Sequence, residues 1–143
     1  MMRKILSLVA GLLCVAPIVA TAEGLVSKAP ADAQVYFIEP QDGAVIEGPV
    51  KVVFGLENMG VAPAGVDRDN TGHHHLLIDV KEMPDMSQPL PASEHVKHFG
   101  GGQTETTLDL EPGTHTLQLL VGNYVHVPHQ QPVISKKITI EVK

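Results

Sequence analysis

The sequence predicts an all-β protein, an immunoglobulin-like β-sandwich of about seven strands with two long loops. Three observations predict it. Short segments with alternating apolar and polar residues recur along the chain, as half-buried strands require, because successive strand side chains point to opposite faces. Glycine, proline and Asp/Asn clusters separate these segments. No segment carries the 3.6-residue apolar period of an amphipathic helix, and nothing repeats at a fixed spacing.

The first 22 residues read as a secretory signal peptide. Arg3 and Lys4 supply the positive start, residues 5–19 are apolar, and Ala20-Thr21-Ala22 is a small-x-small cleavage site. The apolar run is shorter than the ~20 residues a membrane span needs. Cys14 lies inside it and is expected to be discarded with it. Leu13, just before Cys14, is not the small residue a lipoprotein signal would place there. Cleavage near Ala22 implies a periplasmic or secreted protein. Residues 23–33 are small and polar and read as a flexible leader, and residues 34–143 as one domain. The remaining ~120 residues suffice for one ordinary core.

The strands follow in order. Gln34–Glu39 is a short apolar strand stopped by Pro40, and Gln41-Asp42-Gly43 is a turn signal. Residues 50–56 alternate cleanly, with Val50, Val52, Phe54 and Leu56 on one face. Residues 73–80 form a strand that opens on three consecutive histidines. Residues 105–110 present Thr106, Leu108 and Leu110, and residues 114–121 present His115, Leu117, Leu119 and Val121. Residues 135–142 close the chain with Ile138, Ile140 and Val142 facing in. Residues 57–72 and 81–103 read as the two long loops. Long loops in a compact domain are commonly functional, and both flank the histidine strand.

Composition narrows the function. Without Arg3 and Lys4, eight basic residues stand against sixteen acidic ones. That balance argues against nucleic acid, whose partners carry basic patches, and favours cations. With no tryptophan, two tyrosines and three phenylalanines, aromatic binding platforms are not expected. The mature chain has no cysteine, hence neither disulfide nor thiolate ligand, and no later apolar stretch that could span a membrane.

All eight histidines lie after the signal segment. On a strand, His73 and His75 share one face and His74 takes the other. Parity with Leu76, Ile78 and Val80 turns His74 toward the core, where it could act on the ligands indirectly. Two imidazoles two residues apart are half of a metal site, and His98, His126 and His129 from loops could complete it. Neutral imidazole suits copper, zinc, nickel and iron. Copper is expected first and zinc second. Met83 and Met86, with soft thioethers, form a Met-x-x-Met pair that could serve Cu(I) or simply pack. Asp67, Asp69 and Asn70 alternate as in a calcium loop, but no glutamate closes it, so they read as a solvated turn. His115 follows Glu111-Pro112-Gly113-Thr114 at the corner where many sandwich domains hold a hydrogen-bonded tyrosine, and it reads as a packed corner residue.

The chain resembles the DUF4399 family, small exported bacterial domains of unassigned function. The resemblance runs from Phe37 to Val142. It is carried by Glu39-Pro40-Gln41-Asp42-Gly43, by Gly48-Pro49-Val50-Lys51-Val52-Val53-Phe54, by Thr71-Gly72-His73-His74-His75-Leu76-Leu77-Ile78-Asp79, by His98-Phe99-Gly100-Gly101-Gly102 and by Pro112-Gly113-Thr114-His115. It implies one exported domain and brings no catalytic residues. Asn123 stands where the resemblance implies an aspartate.

The expected function is therefore periplasmic metal binding, for storage, delivery or buffering, without catalysis and with no protein partner specified. The alternative is a non-enzymatic interaction module whose histidines are structural or pH-responsive. A third reading is catalytic. His-x-His on a sandwich strand resembles the copper site of copper/zinc superoxide dismutases, but their disulfide cysteines are absent and no bridging zinc ligands can be located. No Gly-x-Ser-x-Gly or paired-carboxylate arrangement suggests a hydrolase.

Overall fold

The computed structural model describes residues 24–143. The predicted signal peptide and Cys14 lie outside them. Nine strands occur among the described residues: β1 (Gln34–Glu39), β2 (Val45–Ile46), β3 (Val50–Glu57), β4 (Gly60–Val61), β5 (Thr71–Ile78), β6 (Val96–His98), β7 (Glu105–Leu108), β8 (Gly113–Gly122) and β9 (Ile138–Val142). They form two sheets. One has the order β1-β3-β7; the other has the order β2-β9-β8-β5-β4, with β6 also paired to β5. No helix among the described residues is long and apolar enough to cross a membrane.

The alternation read from the sequence explains how the sheets pack. Val50, Val52 and Phe54 of β3 are buried between the sheets with Leu76 and Ile78 of β5, Leu117, Leu119 and Val121 of β8, and Ile138, Ile140 and Val142 of β9. Each such side chain contributes roughly 1.5–3 kcal/mol by leaving water. A second, smaller apolar patch lies on the opposite face of the larger sheet, where Leu77 and Leu120 meet Leu90, with Val80 and Met86 against them. Two sheets around one core with a covered outer face make the predicted sandwich.

The structure moves several boundaries. The histidine strand begins at Thr71 and stops at Ile78, because Asp79 takes a left-handed backbone (φ 55°) that aspartate tolerates. The last strand starts at Ile138 rather than 135: Ser135 N–H donates to Leu119 O, but Leu119 N–H donates to the Ser135 hydroxyl instead of a backbone carbonyl, so the pairing there is an isolated bridge between Leu120 and Ile134. The two predicted loops hold short strands. Gly60 and Val61 pair in parallel with Thr71 and Gly72, and Val96 to His98 pair antiparallel with Leu77 to His75. Residues of the predicted leader are bonded to the domain: Gln130 N–H donates to Ser27 O, and Asn123 Nδ2 donates to Leu25 O.

Candidate metal centre

The site is built on β5 and β8. Alternation turns His74 inward, where its ring lies 5.0 Å from that of Phe54, and turns His73 and His75 outward. Across the ladder, His73 is paired with Gly122 and His75 with Leu120. Gly122 has no side chain, and the His75 ring occupies the space beside it. On the other edge of β5, the register sets His98 of β6 opposite His75. The turn after β8 carries His126, whose backbone is left-handed (φ 67°). Leu90 N–H donates to His126 O, so the loop after β5 and the turn after β8 close over this face together.

His73, His75 and His126 each offer a ring nitrogen within 4.8 Å of the others. His73 Nε2 and His126 Nδ1 are 3.0 Å apart, one donating and one accepting. Ring centroids are 4.7 Å apart for His73 and His75, and 4.8 Å for His73 and His126. His98 is a fourth ring, 4.5 Å from His75 and stacked on His126 at 4.8 Å. His98 Nε2 donates to Pro91 O at 3.3 Å. An ion bonded at 2.0–2.1 Å separates tetrahedral nitrogen ligands by about 3.3 Å, and trigonal ones by about 3.5 Å. The three donors, at most 4.8 Å apart, are within about 1.5 Å of that spacing.

The electrostatics keep these rings ready to ligate. Burial lowers His73 to about 4, helped by the neighbouring His126 and His98. Burial lowers His75 to about 2, helped by His73. His126 is also lowered, by burial first and then by His98. Rings with such values are neutral near pH 7, the state that binds metal. His73 and His75 are fully buried, yet His73 Nδ1 and both ring nitrogens of His75 have no hydrogen-bond partner. Each such orphan costs about 1–3 kcal/mol.

The other candidates go elsewhere. His129 is buried beside Gly72, with its Cε1 3.2 Å from where a Cβ of residue 72 would sit. Gly72 has the parity of His74, so His129 stands apart from the three converging rings. His74 is enclosed in the core with neither ring nitrogen in a well-formed hydrogen bond; burial lowers it to about 4, opposed only in part by the nearby Gln103 backbone. His95 Nδ1 donates to Ile78 O. His115 is the hydrogen-bonded corner residue, bonded to Asp79 Oδ2 at 2.7 Å and to Glu111 O at 2.8 Å. Met86 packs on the Leu77 patch, and Met83 is 43% exposed. Sequence reasoning missed Gly122, and it noted Asn123 only as a departure from an expected aspartate, without its part in holding the turn. A glycine inside a strand pattern signals close approach by a neighbouring group and would have drawn attention to Gly122.

A family model described as "Domain of unknown function (DUF4399)" matches residues 52–143. The chain belongs to the DUF4399 family. The matched region of this DUF4399 chain includes His73, His75, His98 and His126. No curated protein matches it. Among solved structures, the endo-β-1,4-mannanase from Thermotoga petrophila is similar, with 19% identity, a TM-score of 0.47, and coverage of 78% of this chain and 20% of that one. The chain thus spans about a fifth of that protein, and the likeness says nothing of activity.

Proposed function

We propose that this domain is an exported, non-catalytic metal-binding protein that holds one transition metal ion on His73, His75 and His126, with His98 beside them. Copper is the first expectation and zinc the second. The observation that carries the proposal is the convergence of three ring nitrogens within 4.8 Å on two fully buried histidines and one half-buried one. Nitrogen donors without thiolate or carboxylate suit copper and zinc, and copper stands above zinc in affinity for such sites. An ion would also satisfy ring nitrogens that otherwise stay unpartnered. The site's depth, with His98 and His126 half-buried on the outward side, fits storage, buffering or delivery.

The interaction-module reading has one observation in its favour. His73 and His126 already hydrogen-bond to each other at 3.0 Å without an ion. It leaves both nitrogens of His75 without a role. Competition titrations with Cu(I), Cu(II) and Zn(II) test the proposal. Tight binding of one ion per chain, lost in His73→Ala and His75→Ala, is expected. Equal, weak binding by the parent and both variants would contradict it.

A further inference from the structure

We infer that Asn123 is the positioning residue for His126, and that the same side chain, through its other end, ties the segment at Leu25–Ser27 to the turn that carries this ligand. This rests on the metal-binding reading above.

His126 has a backbone that non-glycine residues seldom adopt, with φ at 67°. Such a conformation persists where its surroundings hold it. Asn123 supplies most of the hold. Its side-chain oxygen accepts from Val125 N at 3.1 Å and Val127 N at 3.0 Å, the residues on either side of His126. Its own backbone closes the same turn: Asn123 N–H donates to Val127 O and Asn123 O accepts from His126 N, both at 2.9 Å. A five-residue turn is thus pinned at both ends and on both sides of the ligand.

The amide nitrogen of the same side chain faces the other way. Nδ2 donates to Leu25 O at 2.7 Å and to Ser27 Oγ at 3.2 Å. Gln130 N–H donates to Ser27 O at 2.9 Å, so the segment is tied on both sides of the turn. Asn123 is only 2% exposed, and both its donors and its acceptor are used. The partners also settle its orientation. Backbone N–H groups on one side demand the oxygen, and the Leu25 carbonyl on the other demands the NH2 group. A carboxylate would keep the first set of bonds and lose the donation to Leu25.

The test uses Co(II) alone as probe, titrated into the metal-free full chain, with the visible absorption band as the readout of ligand number. His126→Ala is expected to weaken and shift the band. Asn123→Ala is expected to reproduce the His126→Ala spectrum, with affinity lowered about 10- to 100-fold, the usual loss when support of a ligand is removed. Asn123→Asp is expected to keep the parent band while the Gln130 amide exchanges faster, because the Ser27 segment is released. A parent-like spectrum for Asn123→Ala would overturn the inference, as would a His126→Ala-like spectrum for folded Asn123→Asp. If Asn123→Ala does not fold, Asn123→Asp against His126→Ala decides. A parent-like band in His126→Ala would instead bring down His126 as a ligand, and the positioning role with it.

Discussion

His75 rests its ring against the bare backbone of Gly122: a Cβ there would lie 2.6 Å from Cε1 of His75 and 3.2 Å from its Nδ1. The same Cβ would sit 3.3 Å from the backbone carbon of His126. One absent side chain thus makes room for the ring of His75 and for the backbone that carries His126. Gly122→Ala is expected to cost about 1–3 kcal/mol of stability, as overpacking does, and to lower metal affinity in parallel. Denaturant unfolding and metal titration of the same variant check both.

The two faces of β5 should respond oppositely to substitution. His74 is buried with neither ring nitrogen bonded. Exchanging a buried, unpartnered polar ring for an apolar group of similar size is close to neutral or stabilising. His74→Leu is expected to match or exceed the parent in thermal stability and to keep its metal stoichiometry. Loss of metal in a folded His74→Leu protein would show that the inward histidine supports the site.

His98 should matter less than its neighbours. It stacks on His126 and contacts His75, but its ring is half-buried and bonded to Pro91 O. His98→Ala is expected to lower affinity by about 10-fold, the scale of an outer partner, whereas His73→Ala is expected to lose more than about 100-fold. Equal losses in the two variants would make His98 a full ligand.

The corner pair His115–Asp79 predicts a pH window. Bonding to Asp79, then to the Glu111 carbonyl, raises His115 above 6.5. Burial would raise Asp79, but the bonds from His115 and from Thr116 N–H outweigh it and hold the carboxyl below 3.8. A raised histidine stabilises fully below its unfolded value of 6.5 and loses that as pH rises through its folded value. A lowered carboxyl stabilises above 3.8 and loses that as pH falls through its folded value. The pair therefore contributes most between 3.8 and 6.5. Its part-exposed position limits the contribution to about 1 kcal/mol. Asp79→Asn keeps the left-handed backbone tolerable. Stability measured against pH for parent and Asp79→Asn should diverge most inside that window and narrow above it, as the His115 part is lost and the Thr116 N–H part remains.

The parts of the fold with long alternation were legible in the sequence. Val50 to Phe54, Leu117 to Val121 and Ile138 to Val142 each carry enough alternating residues to declare a face, and each face lies where its pattern directs it. The same parity separated His74 from His73 and His75. Strands β2, β4 and β6 were not legible, because two or three residues hold no period and exist only through pairing with β9 and β5. The site was legible on its strand side and only partly on its loop side. Spacing along the chain does not say which loop histidine folds over which face. The turn held by Asn123 brings His126 over the outer face, while Pro128 pairs with Gly122 and His129 ends beside Gly72. Nothing in His126-Val127-Pro128-His129 as a string distinguishes the two.

Metal content tests the central claim most directly. The chain, expressed with its own leader and without a histidine tag, is purified without chelators, and its bound metals are quantified by mass spectrometry before and after reconstitution with copper and zinc. The account predicts about one copper or zinc per chain, lost when His73 and His75 are both changed to alanine. No stoichiometric metal in the parent, even after reconstitution, would contradict it and leave His73, His75 and His126 as a structural cluster.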